Sequence, residues 1–154
     1  MAASLTVKQI ETVFENIVDP FRANGESIDE VLKTIEAYAD PNIVFHVVGQ
    51  EFSLGCHVTG FQAMKNFVVG QMAPAFLGAL DTSKDRQQKI VQVISGGEGN
   101  SVIQFEGKGV SKTGKPWVHE SLLVLKTNNE GKFVKVTAFM DTLHLQNHFL
   151  ESTQ

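Results

Sequence analysis

With 154 residues, 42% of them hydrophobic and 19% charged, the chain has the size and composition of one folded domain, which we expect to span residues 1–154. Its formal charge of −4 and its scattered Lys and Arg residues disfavour nucleic acid and anionic membranes as partners. No apolar stretch reaches the ~18 residues of a membrane span, and Cys56 is the only cysteine. We therefore expect a soluble, cytoplasmic protein without an internal disulfide or a cysteine-based metal cluster.

The N-terminal part of the sequence predicts two amphipathic helices. Apolar residues recur at helical spacing in the first of them, which ends before or just past the Asp-Pro pair at 19–20. A loop at 23–26 follows. Ser27 and Glu30 form a capping-box pattern that opens the second helix, and the Asp-Pro pair at 40–41 stops it.

Residues 42–48 predict a short strand, because they are rich in β-branched and aromatic residues. Alternation places Ile43 and Phe45 on one face and His46, with two valines, on the other. A loop punctuated by glycines follows the strand. A third helix is expected from Thr59 or Gly60, with apolar residues that include Phe61 and Met64, and a further helical segment at 72–80 beyond a break near Gly70 or Pro74.

The C-terminal half predicts four antiparallel strands, at about 88–94, 101–111, 115–126 and 132–140. The flexible GGEGN stretch joins the first two strands, and the NNEG sequence supplies the last turn. Trp117, His119 and Ser121 should share one face of their strand. Asp141 follows the last strand and is a good N-cap for a closing helix. Helices followed by a meander predict an α+β fold with a helical layer packed on a bent sheet.

Several phrases, in this order, resemble the NTF2-like superfamily and in particular its SnoaL-like branch. They are the strand IVFHVVG, the helix opened by Gly60, the Gly-Lys-Pro-Trp run at 114–117, Glu120, and the Phe-Met-Asp-Thr run at 139–142. The likeness covers roughly residues 7–150. It implies a cone-shaped fold in which a mixed or antiparallel sheet and the N-terminal helices enclose a deep apolar pocket.

The resemblance also implies where the chemistry lies. The middle of the first strand often carries the acid or base in these proteins, and here that position is His46. Ketosteroid isomerases have a carboxylate there and a second pocket acid near the position of Leu123, so ketosteroid isomerisation is not expected. Scytalone dehydratase and related fungal enzymes use histidines in this fold, and fungal SnoaL-like isomerases and cyclases tailor polyketides and meroterpenoids. The resemblance further implies a homodimer through the outer face of the sheet.

Two histidines, one on each side of a pocket, can take and give protons at opposite ends of a substrate. We therefore predict His46 and His119 as the proton carriers, with Asp141 orienting a histidine and Trp117 shaping the pocket. If Pro116 introduces a bulge, Glu120 replaces His119 in the cavity. Phe61, Met64, Met140 and Ser121 are the other predicted substrate-binding residues.

Other residue patterns have plainer interpretations. His144 and His148, four residues apart, are better explained by a solvated helix face than by a metal site, since no third ligand accompanies them. Cys56 and His57 are adjacent, so their side chains diverge and no dyad is expected. GGEGN joins two strands and opens no helix, so it is not a phosphate loop.

The expected function is that of a cofactor-independent isomerase, cyclase or dehydratase (an isomerase or lyase) that needs no metal. Its substrate would be an apolar polyketide- or terpenoid-type intermediate of secondary metabolism, bound in a deep pocket. One alternative is an epoxide hydrolase of the same fold, which needs a carboxylate base beside an Arg. The sequence places neither Arg22 nor Arg86 in a pocket, which counts against a hydrolase. The other alternative is a non-catalytic binding or dimerisation module, which a pocket packed shut would favour.

Overall fold

The computed structural model describes the backbone of residues 5–22 and 28–154, and the side chains of residues 5–15 and 28–154. The predicted loop at 23–26, Ser27 of the capping box and the side chain of Arg22 lie outside the described residues. The elements, in chain order, are α1 (Val7–Arg22), α2 (Ile28–Tyr38), β1 (Ala39–Val47), β2 (Cys56–Thr59), α3 (Phe61–Phe67), a π-helical segment (Val68–Met72), α4 (Ala73–Ala79), β3 (Gln87–Gly97), β4 (Asn100–Val110), β5 (Pro116–Thr127), β6 (Phe133–Met140) and α5 (Thr142–Glu151).

The strands form one six-stranded sheet in the order β2-β1-β6-β5-β4-β3. β3 to β6 are the predicted antiparallel meander. β1 runs parallel to β6 and antiparallel to β2, so the sheet is mixed. Register shifts in β1 and β3 interrupt the ladder, and such bulges bend a strand. The α+β fold class predicted from the order of elements is confirmed.

The sequence did not predict β2. The sequence predicts a glycine-punctuated loop that includes residues 56–59, but these residues pair with Val44 to Val47 of β1. A strand of four residues carries little periodic signal of its own, and this one is defined by its hydrogen-bonded partner.

The predicted break between α3 and α4 is a π-helical turn. The residues at its ends, Phe67, Val68, Met72 and Ala73, all have right-handed helical dihedrals, so the chain continues without a loop. Pro74 lacks an N–H donor and would clash with the carbonyl four residues before it in a regular helix. A locally wider turn next to Pro74 relieves that conflict.

The helices cover one face of the sheet, here called the inner face. Ile10, Val13 and Phe14 of α1 are buried, and the Phe14 ring lies 5.7 Å from both Phe105 of β4 and Phe133 of β6. α5 closes the far end, where Leu145 is fully buried. None of the helices in the described ranges is both long enough and apolar enough to cross a bilayer.

The GGEGN stretch forms a tight turn. Gly97 and Asn100 pair across it, and the two residues between them, Glu98 and Gly99, have positive φ angles of 50° and 75°. Two consecutive residues of this kind are typical of a type I′ hairpin turn. A Cβ on Gly99 would also lie 2.4 Å from the carbonyl oxygen of Thr127. The turn therefore depends on a glycine for its conformation and for its approach to the neighbouring strand.

We expect Gly99→Ala to lower the free energy of unfolding by more than about 2 kcal/mol, since it adds a steric clash to the cost of a positive φ. Chemical denaturation measures this change. Gly114→Ala is the matched control, because Gly114 has a φ of 82° with nothing within 4 Å of its Cβ position. The stability that Gly114→Ala loses therefore reports backbone strain alone. Equal losses for the two variants would contradict the proposed clash.

Candidate active site

A cavity of about 350 Å³ lies between the inner face of the sheet and the helices. This volume is within the range of small-molecule sites. Most of the lining is apolar, and it includes Phe45, Met64, Val68, Met72, Phe76, Leu77, Leu80, Phe105, Trp117, Leu123, Phe133, Val136, Ala138 and Met140. The polar side chains among the lining residues are Tyr38, Arg86, Gln87, Gln88, Lys108, His119 and Ser121. The structure thus holds the apolar pocket that the resemblance implied.

β5 directs His119 into this cavity. Its register with β4 is unbroken from Pro116 to Lys126, so Pro116 introduces no bulge. Trp117, His119 and Ser121 all line the cavity, while Glu120 is exposed on the opposite, outer face. Of the two orientations that the sequence left open, the structure has the one with His119 inside and Glu120 outside.

The environment of His119 keeps its ring neutral. Burial lowers the pKa of the imidazole to about 4, the nearby His144 contributes to the lowering, and the Asp141 carboxylate opposes it. The ring of Phe76 lies 5.5 Å away, and the Nε2 atom is buried without a hydrogen-bond partner. At neutral pH His119 therefore presents an uncharged ring, with an unsatisfied nitrogen, to a mostly apolar cavity.

Trp117 belongs to the cavity wall and to the core at once. It is only 3% exposed, and its ring lies 4.9 Å from His148 of α5 and 5.8 Å from Phe76 of α4. Phe76 and Phe149 also pack edge to face at 5.5 Å. Through these ring contacts α4 and α5 pack against β5, the strand that carries His119.

Asp141 is the N-cap of α5, as its position in the sequence predicted. Its carboxylate accepts a hydrogen bond from the His144 N–H at 3.2 Å. The side chain is exposed and does not line the cavity. Since Nε2 of His119 has no partner, what Asp141 contributes to that ring is a favourable charge that raises its pKa. The orienting role predicted for Asp141 remains a prediction.

The predicted inward orientation of His46 is wrong. Ile43, Phe45 and Val47 occupy the inner face of β1 and are buried, so alternation puts His46 on the outer face. There its ring lies 5.0 Å from His57 of β2, and it is not among the cavity-lining residues. A site position inferred from a family resemblance can be wrong in this way, because a shift of one residue in the alignment moves the side chain to the opposite face of the sheet. His46 and His119 do not share the cavity.

Of the other predicted binding residues, Met64, Met140 and Ser121 line the cavity and Phe61 does not. Phe61 is the first residue of α3, and its half-buried ring packs against the core beside the site. Ser121 and Met140, which are cross-strand partners, also border a groove on the outer face.

The sequence missed Arg86. It lines the cavity, contrary to the prediction that neither arginine lies in a pocket, and its Nη2 atom is buried without a hydrogen-bond partner. Arg86 stands in a charged stretch just before β3, and the composition of this stretch is that of an ordinary surface loop. Only the packing of that loop across the inner face of β4 brings the guanidinium group to the cavity.

The histidines of α5 lie partly inside the protein. His148 is 6% exposed, and burial is the main cause that lowers its pKa. His144 accepts a hydrogen bond at Nε2 from the Val118 N–H at 3.2 Å. The predicted solvated helix face is therefore wrong for His148, because α5 turns that side chain onto Trp117. Among the described residues, no group of three or more His, Cys, Asp or Glu side chains could hold a metal ion.

No protein-family model and no curated protein match the sequence. Solved structures do match it. TerC, co-crystallised with polyporic acid, has a TM-score of 0.66 and 16% identity over 90% of this chain and 96% of TerC. An NTF2-like protein of unknown function from Burkholderia pseudomallei K96243 has a TM-score of 0.65 and 14% identity, over 90% of this chain and 95% of that one.

A third match is a protein from Jannaschia sp. CCS1 that is named a candidate SnoaL-like polyketide cyclase. Its TM-score is 0.59 and its identity 17%, over 91% of this chain and 93% of that one. Identities this low establish the fold and leave the activity open. The chain has the NTF2-like fold, which is the fold that its ordered sequence phrases resembled.

Proposed function

We propose that the protein is a cofactor-independent enzyme that moves protons on an apolar substrate, with His119 as the acid–base catalyst. The reaction class is isomerisation or cyclisation, or else dehydration, of a polyketide- or terpenoid-type intermediate of secondary metabolism. The observation that carries this proposal is the neutral ring of His119, a residue that lines a largely apolar cavity and whose buried Nε2 has no hydrogen-bond partner.

A neutral imidazole in an apolar cavity suits the first step. Nε2 takes a proton from a carbon next to a substrate carbonyl, and the electron pair of the broken C–H bond forms an enolate. The resulting imidazolium and the enolate attract each other strongly in low dielectric, and the Asp141 charge also favours the protonated ring. The imidazolium then returns the proton to another carbon of the conjugated system, which moves the double bond.

One base is sufficient for this sequence. The two-histidine mechanism predicted from the sequence required His46 in the cavity, and His46 lies on the other face of β1. A single ring that takes and returns the proton acts on one side of the substrate. This arrangement favours isomerisation over reactions that need an acid and a base at opposite ends.

The structural neighbours support a small-molecule substrate of this kind. TerC was co-crystallised with polyporic acid, and the Jannaschia protein is named a candidate polyketide cyclase. A cavity of about 350 Å³ also argues against the binding-module alternative, which would be favoured by a pocket packed shut. The cytoplasmic location and the independence from a cofactor stay predictions.

The epoxide hydrolase alternative gains one observation, because Arg86 lines the cavity. That chemistry also needs a carboxylate base to activate water. No Asp or Glu is among the cavity-lining residues in the described part of the chain. The proton-transfer proposal therefore accounts for the site better.

A homodimer through the outer face is the proposed assembly. The outer face carries exposed apolar side chains, among them the cross-strand pair Leu122 and Phe139, at 43% and 45% exposure, together with Val91, Ile94 and Val124. Ile94, Leu122 and Phe139 line a groove together with the polar residues Gln92, Gln104 and Glu120. Apolar groups gathered beside polar ones on one face are typical of an interface between protein chains, and a second copy offers matching apolar side chains.

We expect His119→Phe to lower the rate of isomerisation at least about 100-fold, the usual contribution of a general acid–base group. The measurement is the conversion of β,γ-unsaturated cyclic ketones to their conjugated isomers, followed by ultraviolet absorbance. His57→Gln, an exposed histidine on β2, is the control and should keep the wild-type rate. Turnover by His119→Phe at the wild-type rate, or no turnover of any ketone by the wild-type protein, would contradict the proposal.

The imidazole of His119 should titrate near pH 4 in the folded protein instead of near 6.5. Between these values the unfolded chain binds more protons, so the free energy of unfolding falls by about 2 to 3 kcal/mol as the pH drops from 6.5 to 4. His148 contributes in the same direction, so the difference between the wild type and His119→Phe isolates His119. NMR titration and urea denaturation measure the two effects. A ring that titrates near pH 6.5 would refute the neutral-base assignment.

Replacing Leu122 by Glu should weaken a homodimer at least about tenfold, because the interface would bury an unpaired charge. Sedimentation at a series of protein concentrations gives the association constant. Leu143→Glu is the control, since Leu143 lies on α5 and is 71% exposed. A monomeric wild type, or equal effects of the two substitutions, would remove the outer face as the dimer interface.

A further inference from the structure

We propose that the substrate is a carboxylic acid with a planar apolar body, and that Arg86 binds its carboxylate while the body lies on Gly107 in front of His119. The inference rests on the proposed function for the role of His119, and it adds the substrate class and a specificity-determining residue.

The first support is the state of Arg86. A guanidinium group is always charged and has five N–H donors, yet its Nη2 atom is buried without a partner. A buried donor left unpaired costs about 1–3 kcal/mol, and more when it is charged. A ligand oxygen in the cavity would satisfy that donor. No carboxylate is among the cavity-lining residues in the described ranges, so no lining residue supplies an anionic partner for Arg86.

The second support is the floor of the cavity on β4. Its inward positions continue from Phe105 to Gly107 and Gly109, and of these two glycines Gly107 lines the cavity. A Cβ on Gly107 would meet its nearest heavy atoms at 3.8 to 3.9 Å, which is ordinary van der Waals contact, so this position could hold a larger side chain but has none. Neither glycine has a positive φ. Their value therefore lies in the missing side chain and not in a special conformation: Gly107 leaves its place on the floor unfilled, and Gly109 lets Arg86 and Leu80 come within 3.5 Å of its Cβ position.

The two glycines lie beside the two polar groups. Gly107 pairs with Gln88 of β3 on one side and with His119 of β5 on the other. Gly109 pairs with Trp117, and its Cβ position lies 3.5 Å from Cγ of Arg86. Two strand spacings, roughly 10 Å, separate β3 from β5. The Arg86 side chain starts on the β3 side and crosses to Gly109 of β4, so it lies within that span of His119 and a two-ring body can contact both.

The charges in the lining favour a monoanion. Lys108 also borders the cavity, but its Nζ pairs with Glu106 at 3.2 Å. Arg86 is thus the cation with an unsatisfied donor, and it matches one carboxylate better than a dianionic phosphate. The guanidinium fork binds a carboxylate through two parallel hydrogen bonds. The apolar walls, with Trp117 and Phe76 among them, then pack against the planar body.

The test compares two probes that differ only in charge, 2-naphthoic acid and 2-naphthamide, at pH 7. Trp117 is the only tryptophan in the chain, so its single indole N–H resonance reports binding in the cavity. We expect the acid to bind at least about tenfold more tightly than the amide, which is what one charge-assisted hydrogen bond contributes. Arg86→Gln should abolish this preference by weakening acid binding, and Arg86→Lys should keep part of it.

Gly107→Leu should weaken both probes, because its side chain would occupy the floor. Gly96→Leu is the control, because Gly96 lies near the end of β3, away from the cavity lining. Thermal melts check that each variant is folded. Equal affinities of acid and amide for the wild type would overturn the inference. The inference would also be overturned if Arg86→Gln still preferred the acid to the amide, or if millimolar concentrations of either probe failed to shift the indole N–H resonance.

The outcome separates this inference from the proposed function. If the acid preference depends on Arg86 but His119→Phe isomerises ketones at the wild-type rate, the acid-binding site stands and the catalytic role fails. If His119 is required for turnover and the probes bind equally, the proton-transfer proposal stands and Arg86 has no role in specificity.

Discussion

The pairing of β5 with its two neighbours is the constraint on which the site depends. Its register with β4 is continuous from Pro116 to Lys126, and its register with β6 runs from Ser121 onward. Strand geometry then allows one assignment of faces, with His119 inside and Glu120 outside. A single bulge near Pro116 would exchange them and convert an imidazole site into a carboxylate site. The chemistry of the cavity is therefore decided by backbone hydrogen bonds as much as by residue identity.

The cavity combines an apolar surface with two polar groups that the protein leaves unsatisfied. Buried polar atoms nearly always have partners in folded proteins, and each exception calls for an explanation. Nε2 of His119 and Nη2 of Arg86 are two such exceptions, and both residues line one cavity of about 350 Å³. Stability alone would favour apolar replacements at these places. Their presence is best explained by a ligand that completes their hydrogen bonds.

The other four histidines lie in two pairs, one on the outer face of the sheet and one on α5. His46 and His57 meet on the outer face of β1 and β2, while His144 and His148 pack beside Trp117 from α5. The α5 histidines act on the site indirectly, since His144 helps to lower the pKa of His119. The N-cap Asp141 opposes that effect. The residue that ends the last strand thus also tunes the proton affinity of the cavity histidine.

Local patterns in the sequence determined the helices, most strands and the order of the meander, because periodicity and turn chemistry act over a few residues. They also determined that Trp117 and His119 share a face and that Asp141 caps α5. Tertiary structure decided the rest. β2 forms because it pairs with β1. His46 points outward because Ile43, Phe45 and Val47 occupy the inner face of β1. Arg86 reaches the cavity because the loop before β3 packs over Gly109. These features come from contacts between residues distant in sequence, which no local spacing records.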